Sequence, residues 1–307
     1  DFDRSRVHGT VQGLELDAIM SGFDIPWPVR SPFWGSFTAS EQRVTADGEF
    51  RDEIKRTAGA RFAFRGPVSL TWDGTDTLFF ASPDLRSSFA AVKAKGRLSP
   101  LGDCDVEIGG DVLDVRQTRR FLSRVLRQEW TFPEIRGRGR ARVRITGRSA
   151  DPRVDAAFEL EEAGFDAFGA RSVTGTAQVV SERFQGRFAV EDPRYKGEIE
   201  VEADAETYTT RLKAERAQVQ AVLAGLEIPL ALAGEAKGTF EISQRITDPD
   251  VTAEGDFRAE RLRFLDQTLS GVSGRLGWKD GTLALAGLRF GLQHGEVRGD
   301  ARVGLLQ

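Results

Sequence analysis

The chain has 307 residues, with 43 Lys+Arg against 47 Asp+Glu and a formal net charge of −4, so it exerts no overall electrostatic pull on nucleic acid or anionic surfaces. A single cysteine, Cys104, excludes an intrachain disulfide and a thiolate zinc cluster, and only His8 and His294 are available for imidazole metal sites or Ser–His–Asp catalysis. With 21 Phe and 5 Trp against 2 Tyr, the aromatics suit fully apolar surroundings better than a sugar-binding groove.

Taken in chain order, the predicted elements are mostly strands. A short helical pattern at Leu16–Gly22 precedes strand candidates at Val68–Trp72 and Leu78–Ala81. A second helical pattern covers Thr118–Leu126. Then, in IRGRGRARVRIT, Arg136, Arg138, Arg140, Arg142 and Arg144 alternate with Gly137, Gly139, Ala141, Val143 and Ile145. Period-2 alternation predicts a strand with guanidiniums on one face and a small-to-apolar series on the other. Further strands are predicted at Val154–Leu160, Thr176–Val180 and Arg187–Val190. In GEIEVEADAE, Glu198, Glu200, Glu202 and Asp204 alternate with Ile199, Val201 and Ala203. The third helical pattern, Ala217–Gly225, leads to strands at Thr239–Ser243, Val251–Phe257, Gly274–Trp278 and Thr282–Ala286. Turn signals fall at Asp47-Gly48, Asp73-Gly74, Asp151-Pro152, Asp248-Pro249, Asp280-Gly281 and Gly299-Asp300.

Each helical pattern runs into a proline, Pro26, Pro133 or Pro229, and then into a Gly-led strand at Gly35, Gly139 or Gly238. ITGRSADPRVDAAFEL matches ISQRITDPDVTAEGDF, and SVTGTAQV matches GVSGRLGW, both about one hundred residues on; Trp72 and Trp278 also correspond. Three units follow, 1–110, 111–212 and 213–307, each a short helix plus a run of antiparallel strands stacking on its neighbours in one continuous sheet. Tandem β-sandwiches are the alternative, although no Ser/Gly/Pro-rich linker separates the units.

The order helix, Gly-led strand, Asp-Pro turn and closing hairpin resembles the repeats of the TamB/AsmA-like family. The third unit carries it most fully, in GEAKGTFEISQRITDPDVTAEGDF, SGVSGRLGWKDGTLALAGLRF and HGEVRGDARVGL. The resemblance implies a mainly β fold: an elongated repetitive antiparallel sheet curled into a U-shaped trough, apolar inside and polar outside, with a few short helices. It further implies a bacterial periplasmic protein anchored in the inner membrane by a segment outside this chain, acting as a non-catalytic conduit for phospholipid between the two membranes. An assembly or chaperone module for outer-membrane β-barrel proteins, working with a BamA-like partner, is the alternative. The opening DFDRSRVHGT and the closing ARVGLLQ carry no targeting signal, which gives the expectation of a piece of a longer protein. No run of 18 apolar residues predicts a spanning helix.

On that reading the groove is lined by Val143, Ile145, Phe158 and Leu160 in the second unit's first half, then by Phe188, Val190, Ile199 and Val201. In the third unit it is lined by Phe240, Ile242, Val251, Phe257, Leu276, Trp278, Leu283 and Leu285. The ligand expected there is the acyl chains of a phospholipid. Alternation alone leaves open whether these residues line an accessible groove or a closed core. The Arg136–Arg144 stripe reads as a solvated outer face or a rim that meets headgroups, since arginine–glycine tracts that bind RNA lack its interleaved Val143 and Ile145. Cys104 is expected to point inward as a small hydrophobe, and His8 and His294 to be exposed polar residues. No catalytic pair, metal site, cofactor or Gly-rich phosphate loop is indicated.

Overall fold

The structure, a computed structural model, describes residues 6–15, 32–51, 63–99, 101–125, 135–165, 168–225, 228, 230–245, 251–279, 281–293 and 295–304. Eighteen strands and two helices lie in these stretches. Contacts divide the chain into two compact units, Asp1–Phe165 and Asp166–Gln307. This division falls inside the second sequence repeat. The mainly β, repetitive antiparallel class expected from the alternation is the one observed.

The first unit holds β1 (Val7–Glu15), β2 (Pro32–Ser40), β3 (Arg43–Phe50), β4 (Gly66–Trp72), β5 (Leu78–Arg86), β6 (Ala90–Leu98), β7 (Asp103–Val112), helix α1 (Val115–Val125), β8 (Ile135–Arg148) and β9 (Asp151–Phe165). Each strand pairs antiparallel with the next in the chain, from β1 with β2 through β8 with β9. The second unit repeats the plan. It comprises β10 (Phe168–Val180), β11 (Arg183–Glu191), β12 (Tyr195–Ala203), β13 (Thr207–Gln218), helix α2 (Val219–Gly225), β14 (Leu232–Arg245), β15 (Val251–Phe264), β16 (Gln267–Lys279), β17 (Thr282–Leu292) and β18 (Gly295–Gly304). Here too every pairing is with the chain neighbour. A meander of this kind differs from the crossed strand order of a sandwich.

The two helices interrupt the meander at corresponding places, after β7 and after β13, six strands apart. The residues between β1 and β2, which include the Leu16–Gly22 pattern and Pro26, lie outside the described residues, as do Pro133, Pro229, Asp248-Pro249, Asp280 and His294. Helix α1 starts earlier than its apolar periodicity suggested. Asp114 caps it, its Oδ1 accepting from the Gln117 backbone N–H at 3.0 Å while Gln117 Nε2 donates to Oδ2 at 2.8 Å.

Three turn expectations are corrected. Asp151-Pro152 opens β9, paired with Arg148 and Gly147 just past the turn at Ser149-Ala150. Asp47-Gly48 lies inside β3, and Gly299-Asp300 lies inside β18, where Asp300 Oδ1 accepts from the Gly287 N–H at 2.7 Å. The glycine in β3 serves a different purpose from a turn. Gly48 sits opposite Gly35 in β2, and a Cβ on Gly48 would stand against the Trp34 carbonyl oxygen, 2.7 Å from Gly35 Cα and 2.8 Å from Phe33 Cζ. The strands bend toward each other on this face, and the Phe33 ring fills the space that two side chains would otherwise need. By contrast Asp73-Gly74 is a turn, with Asp73 Oδ1 accepting from the backbone N–H of Thr75 at 3.0 Å and of Thr77 at 3.2 Å. Asp204, expected to continue a strand face, instead holds the β12–β13 turn in the same way, accepting from Glu206 and Thr207 N–H at 2.9 and 2.8 Å.

A test of this curvature compares two glycines. Gly48→Ala is expected to destabilise the first unit by about 1–3 kcal/mol, as overpacking against fixed backbone does. Gly277→Ala in β16, where nothing lies within 4 Å of the added Cβ, is expected to be neutral or slightly stabilising. Urea denaturation of both variants measures the contrast.

A candidate apolar groove

Directly opposed residues in a sheet share a face, so the register assigns every strand position to one side. In the first unit one row runs Val11, Gly35, Gly48 and Val68, and neighbouring rows contain Phe37, Ala46, Leu70 and Phe80. The same face continues through Gly96 to Val106, Ile145 and Val154, and through Ala94 to Ile108, Val143 and Ala156. In the second unit it runs through Gly175, Phe188, Ile199, Leu212, Phe240, Gly255, Leu276, Leu285 and Ala301. Followed from strand to strand, these rows contain no charged residue among the described residues.

All sixteen residues expected to line a groove fall on this face of their unit. Val143, Ile145, Phe158 and Leu160 do so in the first unit, and the other twelve, from Phe188 to Leu285, in the second. Leu160 and Val201 are buried, whereas the other fourteen are half-buried. A covering layer would bury such residues throughout, and fourteen of these keep part of their surface exposed. Residues 1–142 contributed nothing to the expected lining, yet Phe33, Phe37, Phe80 and Val92 face the same way. The signal was available in PFWGSFTAS, where Phe33, Gly35, Phe37 and Ala39 recur two apart.

Aromatic rings and glycines are paired across strands on this face: Phe37 with Gly9, Phe80 with Gly96, Phe188 with Gly175, and Phe240 with Gly255. Phe257 lies between two glycines, Gly238 and Gly274. A ring covers the backbone that glycine leaves bare, which protects the strand hydrogen bonds and evens the surface.

The face is best covered where the long connections run. At this helix rim Phe121 of α1 packs on Phe64 and Phe89, with ring centroids 5.3 and 5.7 Å away, and Phe89 is 2% exposed. Val219 of α2 packs against buried Ala259, Leu262 and Val272. The opposite, turn rim carries tight hairpins. Cys104 lies on the apolar face there, buried, and burial pushes its thiol pKa up. Polar interruptions on the face are Ser82, which donates to the Pro67 carbonyl at 2.6 Å, and Tyr208, Thr210 and Gln244 near the turn rim of the second unit.

The opposite face is charged and exposed. Arg142 donates to Glu107 at 2.6 Å, with Lys95 on the other side of that carboxylate at 3.3 Å, and together these hold Glu107 below its ordinary pKa. Arg144 meets Asp105 at 3.5 Å and Arg140 meets Asp111 at 3.6 Å. In the second unit Arg211 bridges Glu241 at 3.0 Å and Glu202 at 3.7 Å. The arginine stripe is thus matched by acidic residues on the adjoining strand. His8 is exposed, its Nδ1 3.0 Å from Thr38 Oγ1. No cluster of three or more His, Cys, Asp or Glu side chains suited to a metal ion occurs among the described residues.

Asp192, 6% exposed, ties the helix rim of the second unit together. It accepts from Arg194 Nε at 2.7 Å and from the backbone N–H of Arg194 and Arg171 at 3.0 and 3.1 Å. Tyr195 Oη and Arg194 both donate to the Gly169 carbonyl. The Arg194 hydrogen bond, chiefly, holds the Asp192 carboxyl below its ordinary range.

Comparison of the chain with family models, curated proteins and solved structures finds no match.

Two measurements follow from this geometry. Because the folded-state pKa of Asp192 is depressed, its contribution is full above the ordinary carboxylate range and is lost as pH falls through the folded value. Asp192→Asn is therefore expected to cost about 1–3 kcal/mol at neutral pH, with the gap to wild type narrowing below about pH 4 in urea titrations. Ile242→Glu, on a half-buried position with part of its surface open to water, should leave the protein folded at a cost of about 1–2 kcal/mol. Phe33→Asp, at 1% exposure, should abolish folding of the first unit by circular dichroism. Equal collapse of both variants would mean that the whole face is a closed core.

Proposed function

We propose that this chain is a non-catalytic lipid conduit, carrying phospholipid acyl chains along the apolar face of each unit. The observation that carries this reading is a series of uncharged apolar rows left partly exposed over many consecutive strands. Such a surface in water is unfavourable by about 25 cal/mol per Å² of apolar area, and acyl chains crossing water carry the same penalty. Laying one against the other relieves both. A face that repeats from strand to strand offers this relief along its length without an energy source.

The reading agrees with the resemblance to the TamB/AsmA-like repeats, and with it we propose a place in the bacterial periplasm, between the inner and outer membranes. No helix among the described residues is long and apolar enough to cross a membrane.

Photo-crosslinking in cells tests the proposal. Probes at Phe240, Ile242, Leu276 and Leu283 are expected to capture lipid, and probes at Thr239, Glu241 and Arg275, on the other face, are not. Labelling that ignores this alternation, or none at all, would remove the conduit reading.

A further inference from the structure

Among the described residues five non-glycine positions have positive φ, and four of them are polar: Glu162, Ser181, Glu182 and Gln293. The fifth is Leu265, at φ +52°, in the two-residue turn between β15 and β16. Left-handed backbone suits Gly or Asn, and a leucine there strains the turn. This leucine gains nothing from burial in return, since it is 63% exposed. It is also not alone. Phe264, the preceding residue, is 38% exposed, and Leu230 is 44% exposed. Leu230 adjoins through Ala231, whose carbonyl accepts from the Leu265 N–H at 3.3 Å.

Phe264 continues the apolar face, and Leu265 and Leu230 adjoin it at the rim. Phe264 pairs with Leu232, which packs on the buried cluster of Ala259, Leu262 and Val272 beneath α2. The apolar surface of the second unit therefore runs out over the helix rim and ends in solvent at this turn. Behind the tip stand Arg261, Arg263 and Glu260, and Asp266 shares the turn with Leu265; all four are exposed. Their charges cancel.

We propose that the β15–β16 turn is a membrane-contact tip, at which Phe264, Leu265 and Leu230 enter the interface of a lipid bilayer and connect it to the apolar face. The balanced collar matches a zwitterionic headgroup layer. Insertion is then driven by apolar burial, and neither anionic lipid nor low salt is required. This inference rests on the lipid reading of the apolar face.

The test uses Leu265→Gly, which relieves the backbone strain and so should not lower the thermal midpoint, and Leu265→Met, which keeps an apolar tip. The probe is fluorescent phosphatidylcholine, presented either in phosphatidylcholine vesicles or in dilute detergent. The expected result is equal loading of wild type and Leu265→Gly from detergent. From vesicles, loading of Leu265→Gly should be about tenfold slower or more, as loss of one buried leucine side chain predicts, with Leu265→Met near wild type and little effect of salt. Equal vesicle rates for Leu265→Gly and wild type would overturn the tip while leaving the groove intact. Strong dependence on salt or on anionic lipid would overturn the apolar mode of contact. If no variant loads lipid by either route, the reading of the groove itself fails, and the tip falls with it.

Discussion

Everything in this molecule depends on strand register. Each unit is a meander in which a strand's partners are its chain neighbours, so one residue of slippage would exchange the two faces of a strand. In β8 that would bring Arg140 and Arg142 into the row now held by Ala141 and Val143. The cost of charges in an apolar row fixes the register from one side, and the acidic partners Glu107 and Asp111 on β7 fix it from the other. Individually these exposed ion pairs contribute little to stability. Their value is in excluding the alternative alignment.

The glycines belong to the same system. A uniformly large apolar face could not curve inward, because side chains would collide on the concave side. Alternating Phe with Gly across strands lets the backbone bend while the rings close the gaps, as Phe33 does above Gly35 and Gly48. The same pairing explains how Phe can be abundant on one face of the sheet: the rings shelter backbone and one another.

Strands with strict alternation were legible in the sequence, and β8, β12, β14 and β16 lie where period-2 reading puts them. What could not be read was pairing. Asp47-Gly48 reads as a turn because Asp-Gly usually makes one, and its partner Gly35 is distant in local pattern although opposite in space. The beginnings of long strands, such as Phe168–Ser172 in β10, were missed because their polar–apolar contrast is weak. The apolar face of a strand is legible where large apolar residues alternate with charge over a long run, as in β8 and β12. It is not legible in β1, β2 and β4, where Ser, Thr and Gln blur the outer face, nor in β6, where Val92, Ala94 and Gly96 between Lys93, Lys95 and Arg97 are too small to stand out. Asp192 gave no signal, since its role depends on backbone donors from Arg171 and Arg194 meeting at one rim. Nor could the exposed tip at Leu265 be foreseen, because only its backbone angle distinguishes it from an ordinary apolar strand end.

The strictly sequential pairing of strands has a consequence for how the chain acquires its structure. Every pairing within a unit joins neighbours in sequence, so closing one hairpin never requires a distant segment to arrive first. Loop-closure entropy is therefore spent in small instalments, and ordering can begin at any hairpin and spread strand by strand in either direction. A polypeptide emerging end first from a narrow channel could fold in the order of its emergence, each new strand finding its template already in place.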